Sequence, residues 1–411
     1  MYSLSLNLFV GKVGYTVFDS IPTSFLITAG VEDHEHSLFV SRYKDLERQI
    51  PDREKTPLKH CLGNVWLVKP ANLNQGISLI ENKTISITLG RGIKVFRNLK
   101  DIHNFLNSRA LHSFWVVQKY IEKPLLYFGR KFDIRVWVVV THKNEVFMYK
   151  KAYIRTSSDS YDLNNKNNYV HLTNNCLQQN GQNYGKHEDG NTLPLETLDQ
   201  YFESAYPEKN VKLETHIMPR IKDLIIDTIL CSKAELNPLH RPHIFEFFGY
   251  DFMIDEDLRT WLIEVNTNPY LGTPNEYIGN LLPKFVDDML DITVDHLIPP
   301  KTNPRGDRPN DFELIYCENN SQHNQGPLNV RSLYTQSLYP IPELTPSDFI
   351  KKQETFQKRQ EAPPKPKPLY FSRDIRPVDR EPKTTREKGT TLVTPTKLNQ
   401  KINPNNTFPS V

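Results

Sequence analysis

The stretch "YDFMIDEDLRTWLIEVNTN", residues 250–268, limits the fold more than any other part of the chain. Two runs of β-branched and aromatic residues flank the polar turn Glu256-Asp257-Leu258-Arg259, the signature of a β-hairpin. Pairing Asp255 with Thr260 sets the register. Phe252 then faces Ile263, Ile254 faces Trp261 and Tyr250 faces Val265, giving one continuous apolar face. The other face sets Met253 opposite Leu262 and Asp251 opposite Glu264. Directly opposed side chains have Cβ atoms about 5 Å apart, and like charges there are destabilising. A chain that keeps two carboxylates in that position needs something positive to hold between them.

Composition narrows what that can be. The 411 residues are 38% hydrophobic and 24% charged, with 30 Pro and 17 Gly, and one to three domains are expected at this length. Cys61, Cys176, Cys231 and Cys317 lie far apart without a CxxC spacing, which excludes a disulfide scaffold and a zinc site. No apolar run approaches the roughly 20 residues of a membrane span, and "MYSLSLNLFVGKVGY" lacks the basic start and the cleavage site of a signal peptide. A soluble cytosolic protein is the expectation. The net charge of +3 is uneven: residues 351–411 carry fourteen Lys/Arg against six Asp/Glu, so residues 1–350 sum to −5. That Pro-, Lys- and Thr-rich tail has too little apolar surface to fold. It reads either as a solubilising extension or as an arm for an acidic partner.

Along the chain, residues 1–60 show little periodicity beyond the strand-like "SFLITAG". "NVWLVKP" and "FWVVQKYI" read as buried strands, "IKVFRNLKDIHNFLNS" as a strand and a helix, and "GRKFDIRVWVVVTHKNEVFMYKKAYIR" as a long hairpin turning near His142–Asn144. "HIMPRIKDLIIDTILCSKAEL" and "GNLLPKFVDDMLDITVDHLI" have helical spacing. Paired strands with covering helices predict an α+β (mixed α/β) domain over residues 61–300.

In "RKFDIRV", alternation sends Lys131, Asp133 and Arg135 to one face and Phe132, Ile134 and Val136 to the other. Such a charged row also suits a solvated strand. Lys69 ends an earlier strand and Arg155 a later one. Cations that hold a polyphosphate beside carboxylates that hold its Mg²⁺ would satisfy both charge excesses, since Mg²⁺ is taken by one or two carboxylates together with substrate phosphates. Asn266, two residues beyond Glu264, can add an amide oxygen. The competing reading makes Asp251 and Glu264 partners of nearby lysines or arginines.

Six stretches in order, "VWLVKP", "VVQKYIEKPLLYFGRKFDIRVWVVV", "YIRTSS", "VHLTNNC", "NYGKHEDGN" and "FGYDFMIDEDLRTWLIEVNTNP", resemble the tubulin–tyrosine ligase family of amino-acid ligases, which have the ATP-grasp fold. The resemblance covers about residues 60–300. It implies a remnant of an N-terminal domain over 1–60, a central subdomain over 61–125, a C-terminal subdomain over 126–300 and a mostly disordered tail over 301–411. It makes Lys69 and Lys131 phosphate ligands, and Gln118, Lys119, Tyr120 and Ile121 the strand whose backbone borders adenine. Asp133 becomes a ribose or substrate contact. Arg135 and Arg155, with Lys131, are the catalytic cations at the reacting carboxylate and its acyl-phosphate. Thr173 and Asn174 lie near the nucleotide and the amino acid, and Asp251, Glu264 and Asn266 are the magnesium ligands. Tyr184 and His187 sit in a loop that reads as a turn, and His171 reads as structural.

Two departures from the family pattern stand out. Removing Ile77–Gly90 leaves "KPANLNQGRGIKVF", a better phosphate loop with Arg91 and Gly92 in it, so the fourteen residues read as a retained intron or a gene-model error rather than a functional insertion. The N-terminal region reads either as truncated or as a pared-down acceptor-recognition domain. The implied activity is an ATP- and Mg²⁺-dependent ligation of an amino acid, tyrosine favoured, to a carboxylate of tubulin's acidic C-terminal tail. A polyglutamylase or glycylase of the same family, or a silent tubulin-binding member, are the alternatives. Expected partners are tubulin and a free amino acid, with no nucleic acid and no membrane. A monomer acting in the cytoplasm and on the cytoskeleton, cilia included, is expected.

Overall fold

The computed structural model describes residues 20–51, 62–71, 93–108, 114–207, 211–295, 297–300 and 308–318. The Ile77–Gly90 segment, Arg91, Gly92, Cys61 and the basic tail lie outside the described residues. No described helix is long and apolar enough to cross a membrane. The free cysteines Cys176, Cys231 and Cys317 agree with the sequence expectation.

Two antiparallel sheets carry the fold. The first has the order β1-β4-β2-β3, from β1 (Ser24–Ile27), β2 (Trp66–Pro70), β3 (Lys94–Phe96) and β4 (Trp115–Lys119). Its apolar face packs on helices α1 (His34–Gln49) and α2 (Leu99–Asn107), with Trp66, Val68, Phe39 and Phe105 in one core. Each helix starts at a side-chain cap: Asp33 Oδ1 accepts from Glu35 N at 2.9 Å and Asn98 Oδ1 from Asp101 N at 2.8 Å. Residues 24–49 therefore belong to the same lobe as 66–119, and the expected boundary at residue 60 runs through a single core.

Across α1 and α2, the His36 and His103 rings lie 4.7 Å apart, and the Nε2 of each is buried without a hydrogen-bond partner. Burial lowers both pKa values. The neighbouring His103 depresses His36 further against the opposing pull of Val31 O and Asp33, and Lys44 depresses His103. The unfolded chain thus binds more protons below the ordinary histidine pKa of about 6.5, and stability falls as pH drops through that range. We expect acid unfolding of the first lobe to begin near pH 6. His103→Gln should flatten the fall between pH 7 and 5.5 in thermal melts, and an unchanged slope would refute the assignment.

The second sheet runs β11-β10-β6-β7-β12, with β8 and β9 continuing from the other end of β6. Its strands are β5 (Leu126–Tyr127), β6 (Arg130–Thr141), β7 (Val146–Tyr149), β8 (Tyr153–Ser160), β9 (Thr192–Pro194), β10 (Phe245–Ile254), β11 (Thr260–Asn266) and β12 (Phe312–Tyr316). Two one-turn helices, α3 (Asn168–His171) and α4 (Asn175–Gln178), follow β8. One face of the sheet is covered by α5 (Thr197–Ala205) and α6 (Met218–Leu236), burying Phe132, Ile134, Val136 and Val138. Helix α7 (Glu276–Leu290) covers only the far end of the other face, over Trp137 and Val139. The change from charged to apolar along one face of β6, from Lys131-Asp133-Arg135 to Trp137-Val139, marks where the helix begins to cover it. β12 pairs with β7, so the folded region extends past the expected end at residue 300. The run "FELIY" is a strand signal that the Pro-rich surroundings hide.

The opening hairpin forms with two differences that cancel. Its turn is one residue shorter than expected: Asp255 N donates to Arg259 O at 3.0 Å, and Leu258 takes φ +67°, the pattern of a three-residue loop. Phe252 therefore pairs with Leu262 and Ile254 with Thr260. A bulge at Ile263 then restores the expected register, and Asp251 stands opposite Glu264. The hairpin has two buried faces, not one. Phe252, Ile254 and Leu262 join the second-sheet core, whereas Met253 and Trp261 complete the core of the first lobe. It is the bolt between the lobes.

Candidate active site

One row of the second sheet crosses five strands: Glu264 on β11, Asp251 on β10, Arg135 on β6, Tyr153 on β8 and Pro194 on β9. The adjacent row holds Asp133, Arg155 and Thr192. Strand alternation places all of these side chains on one face of the sheet, with Tyr153 at the edge of the α7 core, and Gly249 supplies the clearance. A Cβ there would lie 3.4 Å from Arg135 Nη1 and 2.7 Å from Pro269 Cβ.

The row is buried rather than solvated. Lys131, Asp133 and Arg135 are each 6% exposed, and Arg155 is 7%. Arg135 grips Asp251 with two bonds, Nε to Oδ1 at 2.5 Å and Nη2 to Oδ2 at 3.0 Å. Arg155 Nη2 lies 2.9 Å from the same Oδ2, while its Nε donates to Asp133 Oδ1 at 2.6 Å. Thr173 donates to the other oxygen of Asp133. Two guanidinium groups and two carboxylates thus neutralise each other in the dry interior. Burial works to raise the pKa of Asp251, but Arg135 and then Arg155 more than offset it and hold the carboxyl well below its usual range. For Asp133, burial and the charge of Asp251 prevail over Arg155 and push the pKa up. Both readings of the acidic pair therefore meet here: Asp251 has arginine partners, and it faces Glu264.

Glu264 is different. Its side chain is 32% exposed, and Lys69, reaching across from β2 in the first lobe, lies 3.3 Å from Oε2. Asn266 Nδ2 stands 3.4 Å from each of Asp251 Oδ2, Glu264 Oε1 and Gly249 O. Three oxygens thus converge on one amide at distances too long for good N–H···O bonds. Amide N and O are assigned from their surroundings, and turned over, Asn266 adds a fourth oxygen. An all-oxygen, carboxylate-rich set matches the chemistry Mg²⁺ takes. No group of three or more His, Cys, Asp or Glu suited to a metal occurs among the described residues. The donors fit a hard cation shared with a ligand, not a closed protein cage.

Lys131 is the cation without a carboxylate hydrogen bond. Its Nζ donates to Tyr120 Oη at 3.2 Å and His171 O at 2.8 Å, and lies 4.6 Å from the Tyr120 ring centroid. Burial lowers its pKa to about 8, with Asp133 pulling the other way. Tyr120 Oη also contacts His171 Nδ1 at 3.0 Å, and His171 Nε2 lies 2.6 Å from Asn165 O. A cavity of about 340 Å³ opens beside this chain, lined by Val95, Arg97, Asn165, Lys166 and His171 among others.

The strand expected to border a base is held from behind. Gln118 Nε2 donates to Ser24 Oγ at 3.0 Å, and the Lys119 ammonium is buried against Val65 O and Glu122. The N–H groups of Lys119 and Tyr120 are taken by Thr23 O and Val65 O. With these two groups already used, the expected contact with a base edge cannot draw on all four residues alike. Glu122, which also accepts from Val65 N at 2.9 Å, anchors this turn and was not singled out by sequence. Neither was Tyr153, since its place between Arg135 and Arg155 follows from strand pairing and leaves no cue in the sequence. Asn174 caps α4 with its backbone carbonyl, and Tyr184 Oη accepts from Asn175 Nδ2 at 2.9 Å. The loop around Tyr184 is more than a turn, since Glu188 is locked to buried Arg130 by two 2.9 Å bonds. His187 is exposed.

Comparison with known proteins places this face in context. A model of the tubulin-tyrosine ligase family matches residues 32–305. The chain belongs to that family. The ATP-grasp expectation for the two-sheet fold holds with it. The chain is 38% identical over 261 residues to tubulin glycylase 3A of Drosophila melanogaster, covering 62% of this chain and 24% of that protein. It is 35% identical over 245 residues to tubulin glycylase 3D of Tetrahymena thermophila (58% and 22%) and 32% identical over 269 residues to human tubulin monoglycylase TTLL3 (62% and 31%). The chain thus spans less than a third of the length of these relatives. Their names do not support the expected preference for tyrosine.

Proposed function

We propose that this chain is an ATP- and Mg²⁺-dependent ligase that joins an amino acid, glycine first, to a side-chain carboxylate in the acidic C-terminal tail of tubulin. The observation that carries the reading is the convergence of Asp251, Glu264 and Asn266 beside a buried lysine and two buried arginines on one sheet face, with Glu264 partly exposed at its edge. Glycine rests on the relatives' names.

In this reading Asp251, Glu264 and Asn266 hold the metal, and Lys69 and Lys131 hold phosphate oxygens. Bound Mg²⁺·ATP supplies the phosphoryl group that activates the acceptor carboxylate. Arg135 and Arg155 neutralise that carboxylate and the oxyanion formed when the amine attacks, as preorganised donors whose orientation Asp251 and Asp133 already fix. Thr173 and Asn174 border the incoming amine. A silent binding protein gains nothing from burying such a set, because burying charges costs several kcal/mol per ion before pairing.

Incubating the full chain with tubulin, Mg²⁺·ATP and one labelled amino acid at a time tests it. Glycine should be incorporated, and glutamate and tyrosine should not. Tyrosine incorporation alone would reverse the proposed specificity, and no incorporation of any of the three would refute the ligase.

A further inference from the structure

Gln178, the last residue of α4, is fully buried. Its side-chain amide uses its whole hydrogen-bonding capacity. Oε1 accepts from Ser158 N at 2.9 Å and Ser158 Oγ at 2.6 Å, while Nε2 donates to Tyr169 O at 3.0 Å and to Leu172 O. A primary amide is the side chain that offers two donors and two acceptors at such spacing. Glutamate would set a carboxylate against two carbonyls, and methionine would leave buried groups unpaired.

The two clamped carbonyls bracket a short segment that, with Thr173 just after it, faces the site. His171 O accepts from Lys131 Nζ at 2.8 Å, and Thr173 Oγ1 donates to Asp133, which in turn fixes Arg155. The path from Ser158 on β8 to the Lys131 ammonium thus passes through one amide. It continues on the other side: Asn191 Nδ2 donates to Ser158 Oγ at 2.9 Å and to Thr156 O at 3.1 Å, and Thr156 meets Glu188.

We propose that Gln178 is a positioning residue of this site: by clamping the carbonyls of Tyr169 and Leu172 it sets the segment whose His171 carbonyl aims Lys131 at the ligand. The inference rests on the nucleotide-binding reading above. Residues of this supporting kind typically change affinity or activity about 10- to 100-fold when altered.

The test is a double-mutant cycle on the full chain, with a non-hydrolysable ATP analogue and Mg²⁺ titrated by calorimetry. Gln178→Met should weaken binding about tenfold. In a Lys131→Met background it should weaken binding less than about twofold, because the group it positions is already gone. Ser158→Ala, which removes one of the four bonds, gives the same cycle with a smaller amplitude and decides the question if Gln178→Met does not fold. Equal losses in both backgrounds would show a general loosening and overturn the proposal, as would unchanged binding in the wild-type background. Wild-type protein that fails to bind the analogue would instead sink the reading on which the proposal rests.

Discussion

Glu264→Gln is expected to lower turnover at least about a hundredfold while leaving the thermal midpoint within about 2 °C of wild type. The two effects separate because of where Glu264 lies. Its side chain is a third exposed and its ionic partner, Lys69, is 3.3 Å away. Partly exposed pairs of this kind contribute about 0–1 kcal/mol. Glutamine keeps the shape and one oxygen, so packing against Asn266 survives. What is lost is a full negative charge in the only part of the acidic pair that two arginines have not already neutralised. Preorganised charges at a reacting phosphoryl or acyl group are worth about 3–4 kcal/mol in rate. Single-turnover incorporation of labelled amino acid, read beside a thermal melt, checks both halves. Near-normal turnover would remove Glu264 from the metal site. A large fall in midpoint would show that the residue holds the lobes together through Lys69 instead.

Much of this was legible in the sequence, and the reasons differ from place to place. The face carrying Lys131, Asp133 and Arg135 follows from strand alternation alone, because β6 is regular over twelve residues. The Asp251–Glu264 juxtaposition also follows from the sequence, but only because two irregularities cancel: a turn one residue short and a bulge at Ile263 shift the register in opposite directions. Neither leaves a clear mark in "DEDLRTWLIEV". Helix α1 was missed because its buried stripe is only His36, Phe39, Tyr43 and Leu46 in an otherwise charged run. β12 was missed because composition over a hundred residues outweighed five. The deep pairing of Asp251 with Arg135 and Arg155 depends on which long side chains bend toward which neighbour, and periodicity carries no such information. Gln178 gives no sequence signal at all, since an amide that satisfies four backbone and hydroxyl groups looks the same as one in solvent. The expected preference for tyrosine finds no support among the relatives for a related reason: the quoted motifs are ones the family has in common, not what distinguishes one of its branches from another.

Arg135→Ala should cost about 3–5 kcal/mol of stability as well as activity, and Asp251→Asn a loss of the same order. From the sequence alone the arginine reads as a catalytic group whose removal spares the fold, and the burial overturns that. Each partner in the Arg135–Asp251–Arg155–Asp133 cluster was desolvated on folding, and each charge is tolerable only because the others face it. Removing Arg135 strips Asp251 of two bonds and leaves its carboxylate with Arg155 alone. Removing the Asp251 charge leaves two guanidinium groups side by side with only Asp133 to balance them. At 2–4 °C per kcal/mol for a domain of this size, the thermal midpoint should drop on the order of 10 °C in either variant. High salt should recover little of it, because a buried pair is weakly screened. The sign with pH follows from the same contacts. Asp251 has a depressed pKa in the folded chain, so its contribution is present above the unfolded carboxylate value of about 3.9 and is lost as pH falls below it. Asp251→Asn should therefore lose most at pH 7 and progressively less toward pH 3. The combined Arg135→Met, Asp251→Asn variant should be less destabilised than the two single losses added, since each substitution removes the reason the other is harmful. Strict additivity, or single losses below about 1 kcal/mol, would mean that water reaches the cluster and that its charges are not held by one another.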